Sequence, residues 1–262
     1  MASSASSLSP SPWKTIQRKI SQHQMIVQSV SRIADTFLQL SRVKSCAMLG
    51  CGSGHLDLEF ASRYLPNIEK LTAVEPDVNQ MAVLKTSVAQ LLPDVCAEFY
   101  QETVQNWTGS DQPFDAVLLF HVLYYIPESE RPELFMKLFD KVVANGGFVF
   151  IVTAPCNIQK NTRAHKLKDL LSLTSYDFFH SADAIQVCDM MTSAGFHDCY
   201  QLPIEYQIDV KEESDEEDLI SILEFWSRGM ISHETIREAI REVSGSEKCI
   251  QTDVWFGMFK KP

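Results

Sequence analysis

Three glycines in the segment LGCGSG, at positions 50, 52 and 54, separate a short apolar run from a helix-like pattern. Glycines at this spacing leave the backbone exposed, so a ligand can lie directly on it. An acid, Glu75, stands at the end of the next apolar segment, KLTAVEP. In an open α/β sheet, a carboxylate at this place accepts the hydroxyl protons of a ribose. The residues therefore predict a nucleoside site, and a plain strand-to-helix turn beside a structural acid is the alternative.

The glycine spacing argues against the two common phosphate-binding loops. A dinucleotide loop has the pattern G-x-G-x-x-G, and here its third glycine position is occupied by His55. A Walker loop needs Gly-Lys-Ser/Thr after its first glycine, and this triplet is absent. A nicotinamide-dependent oxidoreductase is thereby disfavoured. A nucleoside cofactor that carries no phosphate is S-adenosylmethionine, and we predict it as the ligand.

Predicted strands and helices alternate on both sides of these residues. Because such alternation produces crossover units, it predicts a parallel sheet covered on both faces. The expected fold class is α/β, with a doubly wound, mostly parallel seven-stranded sheet and a small helical substrate-binding cap. The predicted strands cover 45–50, 70–76, 97–102, 146–154, 198–210 and 249–259, with another beginning at 114, and the predicted helices cover 55–65, 78–92, 132–143 and 181–196.

The chain is expected to form a single domain after a short tail. Residues 1–12 are rich in Ser and Pro and predict a disordered tail. Residues 13–42 have helical spacing and predict a cap, residues 43–154 the cofactor-binding core, and residues 155–262 substrate-side helices and edge strands. The acidic run KEESDEED predicts a solvated helix start.

Composition excludes several classes of protein. The net charge of −11 argues against nucleic acid, whose phosphates need clustered Lys and Arg. The seven cysteines have no CxxC spacing, which argues against disulfides and metal sites and favours a reducing compartment such as the cytoplasm. No apolar run is long enough to span a membrane. The expected partner is therefore a small molecule.

The motifs resemble those of class I S-adenosylmethionine-dependent methyltransferases over residues 43–154. The segments LGCGSG, AVEPDVNQ, YQET, FDAVLLFHVLYYI and NGGFVFIV fall in the expected order. One departure is Met48, where many such enzymes carry an acid. The Glu75-Pro76 pair followed by Gln80, the HVLYYI segment, the N-terminal cap and the LEFW helix are similar to animal histamine N-methyltransferase and its relatives. This resemblance implies a monomeric, cytosolic enzyme that methylates an imidazole nitrogen.

The resemblance also implies roles for residues at the cofactor. The loop residues line the methionine and ribose, and Glu75 takes the ribose hydroxyls. Gln80 lies nearby on the following helix, Thr103 lies near the adenine, and Phe120 flanks the cofactor. These residues are Gly50, Cys51, Gly52, Gly54, Glu75, Gln80, Thr103 and Phe120. Surface polarity for Gln80 and Thr103, and core packing for Phe120, remain the alternatives.

The implied acceptor residues include His121, at the end of the fourth strand, where the family has an amide that binds the substrate ring. His121 can orient the acceptor or take its proton, and a structural role is the alternative. Of Tyr124 and Tyr125, the alignment favours Tyr125 as the residue that faces the pocket. Aromatic cage candidates are Trp13, Phe225 and Trp226, each with a core role as the alternative.

Further positions depart from the family where the substrate is bound. Gln22 replaces the carboxylate that pairs with the substrate amine, and Thr252 replaces a second amide. Asp253 adds a charge that could pair with a cation if it points inward, and an exposed strand acid is the alternative. The expected function is N-methylation of a small amine or imidazole that is histamine-like, carnosine-like or another biogenic amine, and the altered substrate positions argue against histamine itself. A SAM-binding regulatory protein without catalysis is the second hypothesis.

Overall fold

The computed structural model describes residues 22–34, 38–153, 163–171, 184–211, 213–226 and 230–262. The chain divides into two compact units. The first unit contains the described residues of 24–158, 179–204 and 253–262. The second contains the described residues of 1–23, 159–178 and 205–252. The residues predicted to hold the cofactor all lie in the first unit.

Seven strands within the described ranges form one sheet in the order β3-β2-β1-β4-β5-β7-β6. Neighbouring strands from β3 to β5 pair in parallel, and β7 pairs antiparallel with β5. The predicted doubly wound, mostly parallel seven-stranded sheet is therefore confirmed. The strands are Ser45–Leu49 (β1), Lys70–Val74 (β2), Cys96–Tyr100 (β3), Phe114–Phe120 (β4), Val143–Thr153 (β5), His197–Asp209 (β6) and Cys249–Lys260 (β7).

Helices connect and cover these strands. Polar caps define two of their starts: Asp77 accepts hydrogen bonds from the backbone of Asn79 and Gln80, and Ser232 accepts one from Thr235. The helices are Gln22–Ala34 (α1), His55–Tyr64 (α2), Val78–Leu91 (α3), Arg131–Lys137 (α4), Arg163–Leu170 (α5), Ala184–Ser193 (α6), Glu213–Trp226 (α7) and His233–Ser244 (α8). The acidic run does begin a helix, as predicted.

The fourth strand ends at Phe120, as predicted, and is followed by a 3₁₀ turn over Leu123–Tyr125. Other predicted elements have different boundaries, and β5 begins at Val143 and not at 146. The predicted helix 132–143 is α4 followed by a π-helical turn over Leu138–Val142. Helices α5 and α8 were not predicted.

The core of the first unit fixes the central strands. Strands β1 and β4 are buried along nearly their whole length, which agrees with their apolar sequences. The ring of Phe60, on α2, lies 5.3 Å from that of Phe120 and 5.0 Å from that of Phe150. The hydroxyl of Tyr64 donates a hydrogen bond to the carbonyl of Val27, which attaches α1 to α2. The aromatic contacts of α2 with β4 and β5 therefore stabilise the central strands beneath the candidate site.

The second unit has its own small core between α7 and α8. Its buried apolar residues include Leu219, Leu223, Ile236 and Ile240. Arg237 forms ion pairs with Glu216 and Glu217 across the two helices. Within the described ranges, no helix is both long and apolar enough to cross a membrane.

Candidate functional site

The carboxyl ends of β1, β2 and β3 meet at one edge of the sheet. Leu49 lies opposite Val74, and Val74 lies opposite Tyr100. The backbone N–H of Gly50 donates to the carbonyl of Val74 at 2.7 Å, and that of Glu75 donates to Tyr100 at 3.0 Å. The sheet order reverses between β1 and β4, the place where open α/β sheets bind ligands.

The three loop glycines have different surroundings. A Cβ atom built on Gly50 would lie 2.3 Å from Cγ2 of Val122, and one on Gly54 would lie 2.2 Å from Cδ1 of Leu84. These two glycines are therefore needed for close packing. Gly52 has a φ of +56°, and no atom of the described residues lies within 4 Å of such a Cβ. The open face of the loop thus lies at Gly52, where a ligand can contact the backbone.

Glu75 joins this loop to the next turn. Its Oε2 accepts a hydrogen bond from the N–H of Gly52 at 2.8 Å, and its Oε1 accepts one from the N–H of Asp77 at 3.0 Å. Each carboxylate oxygen has two lone pairs, so both keep an acceptor position for a hydroxyl. Burial raises the pKa of Glu75, the two N–H donors lower it, and the charge of Asp77 raises it. The geometry fits the predicted ribose acceptor.

A second buried acid near the loop, Asp57, was not predicted as a functional residue. Asp57 is only 3% exposed, and its Oδ1 has no hydrogen-bond partner within the described part of the chain. Burial raises its pKa to about 8, its own backbone N–H lowers it, and the charge of Glu75 raises it. The sequence signal was an acid on the apolar face of α2, one turn before the buried Phe60 and Ala61.

The remaining cofactor candidates lie around this edge. Cys51 is buried in the loop, and burial followed by the charge of Asp57 raises its pKa well above the ordinary value, so it is a neutral thiol. Gln80 is half-buried in the first turn of α3. The hydroxyl of Thr103 accepts a hydrogen bond from the N–H of Asn106 at 3.3 Å, so it also supports the turn after β3. Phe120 is 3% exposed at the end of β4.

His121 follows β4 in an unusual backbone conformation. Its φ is +57°, in the left-handed region that few residues other than glycine adopt. The peptide is held there because the N–H of His121 donates to the carbonyl of Val152 on β5 at 2.8 Å. The next residue, Val122, packs on Gly50. His121 therefore stands beside the glycine loop, half-buried, in a backbone conformation of the kind often found at functional sites.

Two tyrosines accompany His121 on the 3₁₀ turn. The ring of Tyr124 lies 6.2 Å from that of His121 and packs against the core, and the ring of Tyr125 lies 4.9 Å from that of Tyr124. Tyr125 is 44% exposed, so it is the outward-facing member of the pair. Burial and the charge of Glu75 raise the pKa of the Tyr125 hydroxyl. Tyr125 is therefore a neutral phenol within electrostatic range of Glu75.

The other predicted acceptor residues are not placed at this edge by described side chains. Trp13 lies outside the described residues. Gln22 belongs to α1, Phe225 and Trp226 to α7, and Thr252 and Asp253 to β7, but the described structure does not extend to these side chains. Their roles stay predictions. Within the described ranges, no group of three or more His, Cys, Asp and Glu side chains could hold a metal ion.

Comparisons with known proteins agree with this geometry. Residues 47–147, which contain the glycine loop, Glu75 and His121, match the family model described as "Methyltransferase domain". A comparison with curated proteins gives no significant match. Residues 47–147 thus match a methyltransferase domain, and the strand order of the sheet agrees with the class I fold.

Solved structures share the fold at low sequence identity. A candidate methyltransferase from Bacillus halodurans C-125 has a TM-score of 0.62 and 14% identity, with 87% of this chain and 98% of that chain covered. The cyclopropane synthase MmaA2 from Mycobacterium tuberculosis has a TM-score of 0.55 and 13% identity, with 87% and 84% covered. The N-methyltransferase NodS from Bradyrhizobium japonicum WM9, in complex with S-adenosylhomocysteine, has a TM-score of 0.50 and 13% identity, with 88% and 87% covered. These similarities support the fold and leave the acceptor open.

Proposed function

We propose that this chain, whose residues 47–147 carry a class I S-adenosylmethionine-dependent methyltransferase domain, is an N-methyltransferase acting on a small amine or imidazole compound. The observation that carries the proposal is His121, held in the left-handed conformation at the end of β4 beside the glycine loop. The resemblance to histamine N-methyltransferases rests on the sequence motifs alone.

The residues of the first unit fit the cofactor. Gly52 offers an open stretch of backbone in which an added Cβ would take the place of a ligand atom. Glu75 keeps an acceptor position on each carboxylate oxygen for the two ribose hydroxyls. We place Gln80 and Thr103 at the sides of the nucleoside, and Cys51 and Phe120 behind it. The bound cofactor supplies an electrophilic methyl group on a sulfonium, and the protein supplies alignment.

On the acceptor side, His121 and Tyr125 would orient the nitrogen that receives the methyl group. A neutral imidazole nitrogen needs no strong base, and here His121 would only hold a hydrogen bond. An alkylammonium must first lose a proton, and His121 would accept it. In both cases one nitrogen–carbon bond forms as the carbon–sulfur bond breaks. The one proton released is the proton that His121 would take from an alkylammonium, whereas a methylated imidazolium would lose its proton from the other ring nitrogen. Tyr125 stays protonated and would contribute its ring face and hydroxyl donor.

The acceptor is assigned by a panel assay. Purified protein is incubated with cofactor that carries a trideuterated methyl group and with histamine, carnosine, histidine, phenolic and indole amines, and a carboxylic acid. Mass spectrometry follows S-adenosylhomocysteine and the labelled product. A labelled nitrogen on one imidazole or amine supports the proposal. A label on oxygen, carbon or the carboxylic acid contradicts N-methylation.

His121→Asn is the matched variant, because Asn tolerates the left-handed backbone better than most residues. We expect it to bind S-adenosylhomocysteine like the wild type and to lose turnover about 100-fold if His121 removes a proton. Unchanged turnover would remove His121 from the chemistry. Tight S-adenosylhomocysteine binding without turnover of any acceptor would favour the second hypothesis, a SAM-binding regulatory protein.

The setting of the enzyme is part of the proposal. We propose a cytoplasmic monomer whose partner is a small molecule, with no role in nucleic-acid or membrane binding. The net charge of −11 and the seven cysteines without paired spacing support it. Gel filtration with light scattering tests the monomer, because a dimer would elute with twice the mass.

A further inference from the structure

Asp57 is a buried acid with one carboxyl oxygen that accepts no hydrogen bond within the described part of the chain. The residue lies in the first turn of α2, three positions after Gly54, and is 3% exposed. No described residue gives the Oδ1 of Asp57 a hydrogen bond. Leaving a carboxyl group buried and partly unbonded costs free energy, so such a group calls for a ligand or a function.

The charges that surround Asp57 indicate the chemistry of its partner. Within the described ranges, the titratable groups that interact with it are Cys46 on β1, Cys51 in the loop and Glu75 after β2. Each of these is neutral or negative. An electron-rich enclosure of this kind, with an acceptor atom left over, fits a cation and disfavours an anion.

The cofactor carries such a cation in its amino-acid portion. Both oxygens of Glu75 already accept backbone hydrogen bonds and serve the hydroxyl groups in our assignment. Met48, on the strand before the loop, is fully buried and apolar and offers no charge. Among the described residues, Asp57 is then the remaining buried carboxyl group beside the glycine loop.

We propose that the Asp57 carboxylate binds the ammonium group of the methionine portion of the cofactor. The inference rests on the proposed cofactor site and adds a residue that binds the amino-acid portion of the ligand. An empty site would hold Asp57 protonated near neutral pH, because its pKa is about 8. Binding of the ammonium would release this proton, so affinity would rise as the pH increases from 6 towards 8.

Two ligands separate this role from a structural one. S-Adenosylhomocysteine contains the ammonium, whereas 5′-methylthioadenosine contains the same nucleoside and thioether without the amino-acid portion. We expect Asp57→Asn to weaken the binding of S-adenosylhomocysteine at least tenfold and that of 5′-methylthioadenosine less than twofold, as measured by isothermal titration calorimetry. The matched control is Glu59→Gln on the same helix, whose acid pairs with Arg63 at the surface and should affect neither ligand.

A second measurement uses the wild type and does not depend on the folding of the variant. Calorimetry at pH 7 in two buffers of different ionisation enthalpy should show release of up to one proton with S-adenosylhomocysteine and none with 5′-methylthioadenosine. Equal weakening of both ligands by Asp57→Asn, or no proton release, would overturn the inference and leave the proposed function intact. Weakening of S-adenosylmethionine alone would assign Asp57 to the sulfonium and also overturn it. Failure of the wild type to bind either ligand would refute the cofactor site itself.

Discussion

Gly52→Ala separates the ligand face of the glycine loop from its packing role. Gly52 has a φ of +56°, and a Cβ there meets no atom of the described residues within 4 Å. The substitution therefore causes no clash with the described part of the protein. Its new methyl group would enter the space that we assign to the cofactor.

The size of the effect follows from two separate terms. A left-handed conformation costs an alanine ~1–2 kcal/mol in folding. Exclusion of the ligand from the loop should weaken binding at least tenfold, which is about 1.4 kcal/mol. Gly146→Ala is the matched control, because Gly146 has a φ of +77° and an added Cβ there also meets no described atom within 4 Å. Gly146 lies near the start of β5, away from the carboxyl ends of the strands.

Urea denaturation and calorimetric titration with S-adenosylhomocysteine measure the two terms. Both variants should lose similar stability, and only Gly52→Ala should lose affinity. If Gly52→Ala bound the ligand as tightly as Gly146→Ala, the open face of Gly52 would not be the cofactor surface, and the reasoning would fail.

Further predictions concern the two acids and the packed glycine. Glu75→Gln should weaken S-adenosylhomocysteine and 5′-methylthioadenosine alike, at least tenfold, because the ribose is common to both and an amide nitrogen cannot accept from Gly52 or Asp77; loss of only one ligand in calorimetry would contradict the ribose assignment. The pKa of Asp57 is raised in the folded state, so the ligand-free wild type should lose stability relative to Asp57→Asn as the pH rises from about 4 to about 8. The loss should reach up to about 1.4 kcal/mol per pH unit. Parallel curves of unfolding free energy against pH, measured in urea, would show that Asp57 does not titrate in this range. Gly54→Ala should cost about 1–3 kcal/mol from overpacking against Leu84, in addition to backbone strain, and an unchanged melting temperature would contradict the contact.

The features that sequence reasoning predicted correctly have strong local patterns. The apolar runs of β1 and β4 and the spacing of the loop glycines indicate buried strands and a tight turn without tertiary information. The position of Glu75 directly after β2 could be predicted from the end of that apolar run, while its role at the ribose stays a prediction. The antiparallel pairing of β7 with β5 also agrees with the alternating sequence of that strand.

The features that were missed depend on tertiary structure. The π-helical turn over Leu138–Val142 keeps Leu138 and Val142 buried, so the periodicity of the apolar residues alone predicts a continuing α-helix. The left-handed backbone of His121 is held by a hydrogen bond to Val152 from another strand, which no local pattern reveals. Asp57 was treated as an ordinary helix acid because its burial depends on the packing of α2 on the sheet. Helix α8, in contrast, had a readable signal in its Ser232 cap, and it was overlooked.

A crystal structure of the complex with S-adenosylhomocysteine tests the central claim most directly. The account predicts both ribose hydroxyls at about 2.7 Å from the Glu75 oxygens, the ligand lying on the backbone of Gly52, and the ammonium at about 2.8 Å from Asp57. A ligand bound at another place in the chain, or one whose ribose faces away from Glu75, would contradict it.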